Sequence, residues 1–160
     1  MVVGKNEKIL LVLSLLSSSV NAELTQEEIE QWVSEDGVVA ITKAMATEMV
    51  ESFPQKLSYF EEIETVMGLR GELTYTISLD TQALAAKTGV EDTLVLARLK
   101  KGYKTQVTQD EMNKTLCNMP TARKFIQSGV IYKYYYLDKR TRSHIAIRSV
   151  NNQSCLRIGL

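Results

Sequence analysis

The sequence predicts an α+β fold, a four-stranded, mainly antiparallel sheet with helices packed on one face and one disulfide. Three observations carry this. Apolar residues recur at helical spacing through residues 25–53 and again through residues 82–128. The period drops to two where Leu73, Tyr75, Ile77 and Leu79 alternate with Thr74, Thr76 and Ser78. A run of β-formers at residues 130–137 is answered, after a polar turn, by a second strand-like run at residues 143–150. Helices and strands that arrive in blocks rather than in strict alternation form layered α+β domains.

The first 22 residues stand apart from this pattern. Lys5 and Lys8 precede an apolar stretch at residues 9–16, which gives way to small polar residues and Val20-Asn21-Ala22. Such a stretch is too short for a ~30 Å hydrocarbon layer, which takes about 20 residues, and it has the form of a secretory signal peptide cleaved after a small residue. Cleavage after Ala22 leaves residues 23–160 as a single α+β domain, periplasmic or secreted, with no stable membrane span.

In that domain, Thr25-Gln26-Glu27-Glu28 has capping-box form, and Ile29, Trp32 and Val33 open a first helix. Asp36-Gly37 interrupts it, and Val38, Ile41, Met45, Met49 and Phe53 continue as a second helix until Pro54. Residues 61–79 read as a hairpin turned by Gly68-Leu69-Arg70-Gly71. Asp80-Thr81 looks like a helix cap, and helical character then runs over residues 82–101 with a break at Gly89. Thr108-Gln109-Asp110-Glu111 is a second capping-box pattern, and Pro120 suits the first position of a short helix ended by Gly129. The strands at residues 130–137 and 143–150, joined by Asp138-Lys139-Arg140-Thr141, bring Cys155 back toward the helix bearing Cys117.

Export decides the chemistry of the two cysteines, because an oxidising compartment turns an isolated pair into a bridge. A Cys117–Cys155 disulfide closes a loop for which chain entropy gives roughly 4 kcal/mol as an upper figure. The charge balance hides an asymmetry. Overall there are 19 basic and 19 acidic side chains, yet residues 23–92 hold 15 acidic and 4 basic ones, and residues 93–160 hold 3 acidic and 13 basic ones. Either the two halves neutralise each other across their contact, or a bipolar surface steers a charged partner.

Residues able to carry catalysis are sparse. His144 is the only histidine, so any Ser-His-Asp or Cys-His mechanism must pass through it, and no G-x-S-x-G elbow accompanies it. One histidine and two cysteines cannot furnish a usual zinc site. Glu61, Glu62 and Glu64 form an acidic cluster that reads either as a solvated face or as an acid/base pair of the glycosidase kind. No glycine loop cradles a phosphate. Asn113-Lys114-Thr115 and Asn152-Gln153-Ser154 match the glycosylation sequon, which has meaning only in a eukaryotic source. No catalytic residue, metal ligand or cofactor is assigned.

Tyr132, Tyr134 and Tyr136 fall on one face of a strand, with Lys133, Lys139, Arg140, Arg142 and Arg148 around them. They are either the sheet's floor beneath the helices or an exposed aromatic and basic platform. As a platform the pattern suits stacked bases, but export argues against nucleic acid and for a protein or cell-envelope component, for which Tyr and Arg are favoured anchors. On that reading the partner-binding residues are Tyr134, Tyr136, Arg140, Arg142 and Arg148.

Phe53-Pro54, the segment Leu73-Thr74-Tyr75-Thr76-Ile77-Ser78-Leu79, Cys117 followed by Arg123, Gly129-Val130, Tyr134-Tyr135-Tyr136 and Cys155 together resemble small exported bacterial proteins. The group they resemble is the quorum-sensing-regulated virulence factor family, over residues 45–155. The resemblance implies a compact periplasmic or secreted α+β domain and carries no catalytic residue across. The chain departs from that group in having Asp138-Lys139-Arg140-Thr141 where a glycine-containing turn joins the last two strands.

The expected function is therefore a non-enzymatic exported binding or accessory module in a virulence or secretion setting. A small secreted hydrolase using Glu61 and Glu64, or His144, is the alternative from a different class. An inhibitor or immunity protein is a third reading.

Overall fold

The computed structural model describes residues 25–160; the expected signal peptide and its cleavage point lie outside the described residues. Helix α1, Gln26–Met49, starts at the capping box read from the sequence, where Thr25 accepts from the Glu28 N–H and Glu28 accepts from the Thr25 N–H. Gly37 interrupts it with φ 78°, a left-handed backbone open to glycine, so the expected break is a kink between two helical stretches. A 3₁₀ turn, Val50–Ser52, and a cis Phe53–Pro54 bond end it.

Strands β1 (Gln55–Lys56), β2 (Glu61–Leu69) and β3 (Glu72–Leu79) follow, then helices α2 (Thr81–Thr88), α3 (Asp92–Tyr103), α4 (Gln106–Cys117) and α5 (Pro120–Gln127). Strands β4 (Ile131–Asp138) and β5 (His144–Val150) and helix α6 (Asn152–Arg157) complete the chain. The sheet has five strands in the order β1-β2-β3-β4-β5. The fifth is β1, two residues paired with Lys56 opposite Glu62, too short to show a period. β3 and β4 are parallel and every other pair is antiparallel, so the sheet is mixed. The four helices α2–α5 form the crossover that a parallel pair requires.

Helices pack on one face of the sheet, as expected. That inner face carries Ile63 and Val66 from β2, Leu73, Tyr75, Ile77 and Leu79 from β3, and Tyr132, Tyr134 and Tyr136 from β4, all buried. Ile29, Ile41 and Met45 of α1, Met112 and Leu116 of α4, and Phe125 and Ile126 of α5 close over it in one hydrophobic core. α1 lies so close to β2 that a Cβ on Gly68 would stand 1.9 Å from the Thr42 carbonyl oxygen, so only glycine fits there. Gly68 and Leu69 belong to β2, and the hairpin turn narrows to Arg70 and Gly71, both at positive φ.

Two boundaries differ from the sequence reading. α4 begins one turn before the second capping-box pattern, because Thr105 is the N-cap and accepts from the Thr108 N–H. α6 was not foreseen; Asn151 caps it by accepting from the Ser154 N–H, so the second sequon lies at a helix start. The first sequon lies inside α4, where Asn113 is buried.

The disulfide is present as expected. Cys117, the last residue of α4, and Cys155 of α6 are bonded with their Cα atoms 5.5 Å apart, and both are buried. The bridge ties the chain's last helix to the helical layer rather than to the sheet.

Candidate functional site

Candidate residues gather at the β4–β5 hairpin and along the outer face of the sheet. The hairpin begins at Asp138, a buried carboxylate that accepts from the Thr81 hydroxyl at 2.8 Å and from the Thr141 N–H at 2.7 Å. Burial alone pushes its pKa up, but the Thr141 and Thr81 hydrogen bonds outweigh burial and hold it below the ordinary value. Asp138 thus anchors the turn to the start of α2 and shapes the loop that presents Lys139, Arg140 and Arg142.

Each of those three cations reaches an acid from the first half of the chain. Lys139 lies 3.4 Å from Glu62, Arg140 lies 3.0 Å from Asp92, and Arg142 grips Glu64 with both terminal nitrogens, one at 2.8 Å. Farther along the outer face Lys133 pairs with Glu72 at 2.9 Å. Four ion pairs thus join the acidic and basic halves of the chain, in line with the first of the two readings of the charge asymmetry. The pairs remain wet: the Arg140 and Arg142 side chains are 60% and 53% exposed. The Arg142 bond holds the Glu64 carboxyl below its ordinary range.

The tyrosine stripe is placed by burial. Tyr134 and Tyr136 are 4% and 7% exposed and point into the core, so the expectation that they anchor a partner is corrected: they are the floor beneath the helices. Tyr134 stacks on Tyr75 at 5.3 Å, and Tyr136 meets Tyr103 of α3 at 4.6 Å. Arg148 is also spoken for. Its guanidinium donates to the Tyr103 carbonyl at 2.6 Å and the Thr105 carbonyl at 3.2 Å, satisfying backbone acceptors where α3 ends and α4 begins. Of the five expected contact residues, Arg140 and Arg142 present exposed side chains on the hairpin.

The carboxylates considered for hydrolysis diverge. Glu61 faces the helices and accepts from the Tyr103 hydroxyl at 2.7 Å, whereas Glu64, at the β2 bulge, faces out to Arg142. His144 is exposed on the outer face, its ring stacked on Tyr135 at 5.3 Å. Among the described residues no group of three or more His, Cys, Asp or Glu could hold a metal ion, and no helix is long and apolar enough to cross a membrane.

Two features of the site went unread in the sequence. Asp138 looked like an ordinary turn residue; its signal was Asp138 three residues before Thr141, the spacing at which an aspartate binds back to its own turn. The outer face also exposes Met67, Leu69 and Ile147, each near half, beside the ion pairs.

No protein-family model matches the chain, and no curated protein does. Solved structures do share its fold. A "putative secreted protein" of Pseudomonas aeruginosa matches with a TM-score of 0.59 at 14% identity, over 74% of this chain and 92% of that one. The pilotin EpsS of the Vibrio vulnificus type 2 secretion system matches with a TM-score of 0.51 at 14% identity, over 81% and 96%. The pilotin AspS of the Vibrio cholerae type II secretion system matches with a TM-score of 0.53 at 14% identity, over 78% and 98%. The resemblance to the quorum-sensing-regulated virulence factor family is thus met at a coarser level, that of the mixed α+β fold which this chain shares with a secreted protein and two secretion pilotins.

Proposed function

We propose that the protein is a small exported, non-enzymatic accessory module that binds a protein partner at the bacterial cell envelope, after removal of residues 1–22. The observation that carries this is the fold, shared over about three quarters of the chain with pilotins of type II secretion systems and with a secreted protein. The divergence of Glu61 and Glu64 to opposite faces of the sheet also favours binding over carboxylate-based hydrolysis. The contact surface is the basic hairpin with the adjoining outer face. Arg140 and Arg142 stand there on the turn anchored by Asp138, each with an acid partner it can exchange for one on a docking protein.

Photo-crosslinking in cells tests it. The tagged full chain, with a photoreactive residue at Lys139, is expected to fractionate with the envelope or periplasm and to give a discrete crosslinked species. The pair Arg140→Glu and Arg142→Glu should remove that species while leaving the thermal melt close to wild type. A cytoplasmic location, or a crosslink unchanged by both reversals, overturns the reading.

A further inference from the structure

The sheet has two edges, and they are guarded unequally. At the β5 edge, Gln109 of α4 donates its side-chain amide to the Ser149 carbonyl at 2.9 Å, Arg148 is tied to the Tyr103 and Thr105 carbonyls, and a bulge opposite Tyr136 and Leu137 breaks the ladder. Side chains and bulges of this kind close a free edge against other strands. At the opposite edge β1 covers β2 at Glu62 and Ile63 and stops. Beyond it, Thr65-Val66-Met67-Gly68-Leu69 carries no charge and no proline, and no strand lies beside it among the described residues. Register fixes which of its backbone groups are free. The Gly71 carbonyl accepts from the Ile131 N–H at 3.0 Å, toward β4, so by alternation Glu72 and Thr74 aim at β2, where Leu69 and Met67 face them. Val66 and Gly68 therefore turn their N–H and C=O groups outward, and the one described group bonded to these is the Thr65 hydroxyl, 3.5 Å from the Val66 carbonyl.

Met67 and Leu69 project from this stretch on the outer face, each 55% exposed, so a strand laid along it meets apolar surface. Of the four basic residues between positions 23 and 92, three border the edge: Lys43 of α1, whose backbone packs on Gly68, Lys56 in β1, and Arg70 in the turn after Leu69. All three are exposed and none is ion-paired among the described residues, whereas Glu62, Glu64 and Glu72 are already held by Lys139, Arg142 and Lys133. A second copy fits poorly. Paired edges stand about 4.8 Å apart, and with α1 lying against each β2 they would bring two helices closer than the roughly 8–10 Å that packed helices need. Such a pairing would also set like charges together. We infer that the β2 edge receives, by strand addition, a single extended segment of the partner protein, apolar in its middle and acidic at its ends. The segment's backbone exchanges hydrogen bonds with Val66 and Gly68, its side chains lie on Met67 and Leu69, and its acids reach Lys43, Lys56 and Arg70. This rests on the proposed binding of an envelope protein and adds an edge contact to the one at the hairpin.

The probe is the acetylated and amidated peptide Glu-Val-Thr-Val-Thr-Val-Glu, titrated into the full isotope-labelled chain and followed by amide hydrogen exchange in two-dimensional NMR. Saturable binding is expected, with the Val66 and Gly68 amides newly protected and the β5 amides unchanged. A form with lysine at both ends, and a form with proline in place of the central valine, should each bind about tenfold more weakly. Lys43→Glu combined with Lys56→Glu, both at exposed positions, should reverse the preference between the acidic and the lysine-ended peptide. The three peptides are compared on the unaltered protein, so the result does not depend on that variant folding. Absence of new protection at Val66 and Gly68, or equal binding of the three peptides, overturns the inference. So does protection of those two amides before peptide is added, whether it disappears on dilution, the mark of a second copy, or persists, the mark of residues 1–24 of the chain itself. The Lys139 crosslink in cells does not involve the peptide: if it survives beside a failed titration, strand addition alone is overturned, and if it is lost, so is the binding role beneath it.

Discussion

On the inner face of β4, Tyr132, Tyr134 and Tyr136 are at most 7% exposed and packed under helices, while one residue away on the outer face Lys133 pairs with Glu72 in contact with water. The same contrast runs across the sheet. Inner positions of β3 hold Leu73, Tyr75 and Ile77 in register with the β4 tyrosines, and the outer face is laced by Glu62–Lys139 and Glu64–Arg142. Burial of apolar area stabilises the inner face at roughly 25 cal/mol per Å², whereas exposed ion pairs each contribute about 0–1 kcal/mol. The inner face therefore holds the fold together, and the outer face can exchange its contacts for others without loss of structure.

The sharpest way to break this contrast is at Tyr134. Its ring is buried and stacked on Tyr75, while its hydroxyl is buried without a partner, and burial pushes that hydroxyl's pKa well up so that it stays protonated. Tyr134→Ala should cost about 3–5 kcal/mol, the usual loss for a buried aromatic. Tyr134→Phe keeps the ring and removes only the orphaned hydroxyl, so it should be neutral or slightly stabilising, within about 1 kcal/mol. Urea denaturation of the three proteins measures both, and equal losses for the two substitutions would show that the hydroxyl, not the ring, is what the core needs.

The disulfide supports the inner side through the helical layer. Replacing both Cys117 and Cys155 by Ser should lower stability by about 2–4 kcal/mol, less than the ring deletion at its upper end, because the bridge acts chiefly on the unfolded chain. The urea midpoint, compared with that of wild type before and after reduction, checks it. A double variant as stable as the oxidised protein would mean that α4 and α6 are held together by packing alone.

Local signals made much of this fold legible. The capping box at Thr25, the break at Gly37, the helix opening at Pro120 and the cysteine pair each act within a few residues, or, for the pair, through the chemistry of one compartment. What stayed illegible depends on distance. Both faces of β4 carry aromatic or aliphatic residues, so the period of two marks a strand without marking its buried side. The long segment between β3 and β4 suits a parallel or an antiparallel return, and packing of α2–α5 on one face selects the parallel one. Glu64 and Arg142 lie 78 positions apart, beyond any spacing rule.

The smallest effect tests the outer face itself. Arg142→Ala removes the bidentate grip on Glu64, yet Arg142 is about half exposed, so solvent screening keeps the expected loss below about 1 kcal/mol at neutral pH. The sign of its pH dependence follows from Glu64. The Arg142 hydrogen bond lowers the carboxyl's folded-state pKa below its ordinary value of 4.5. The pair's stabilisation is therefore fully present above that ordinary value and is lost as the pH falls through the lower, folded-state pKa. The difference in stability between wild type and Arg142→Ala should accordingly be greatest near neutrality and shrink toward zero in acid. Denaturation curves at two pH values, one neutral and one well below the ordinary glutamate range, measure it. A gap that stayed unchanged on acidification would mean that Arg142 acts through its left-handed turn, where its φ is 58°, rather than through its charge.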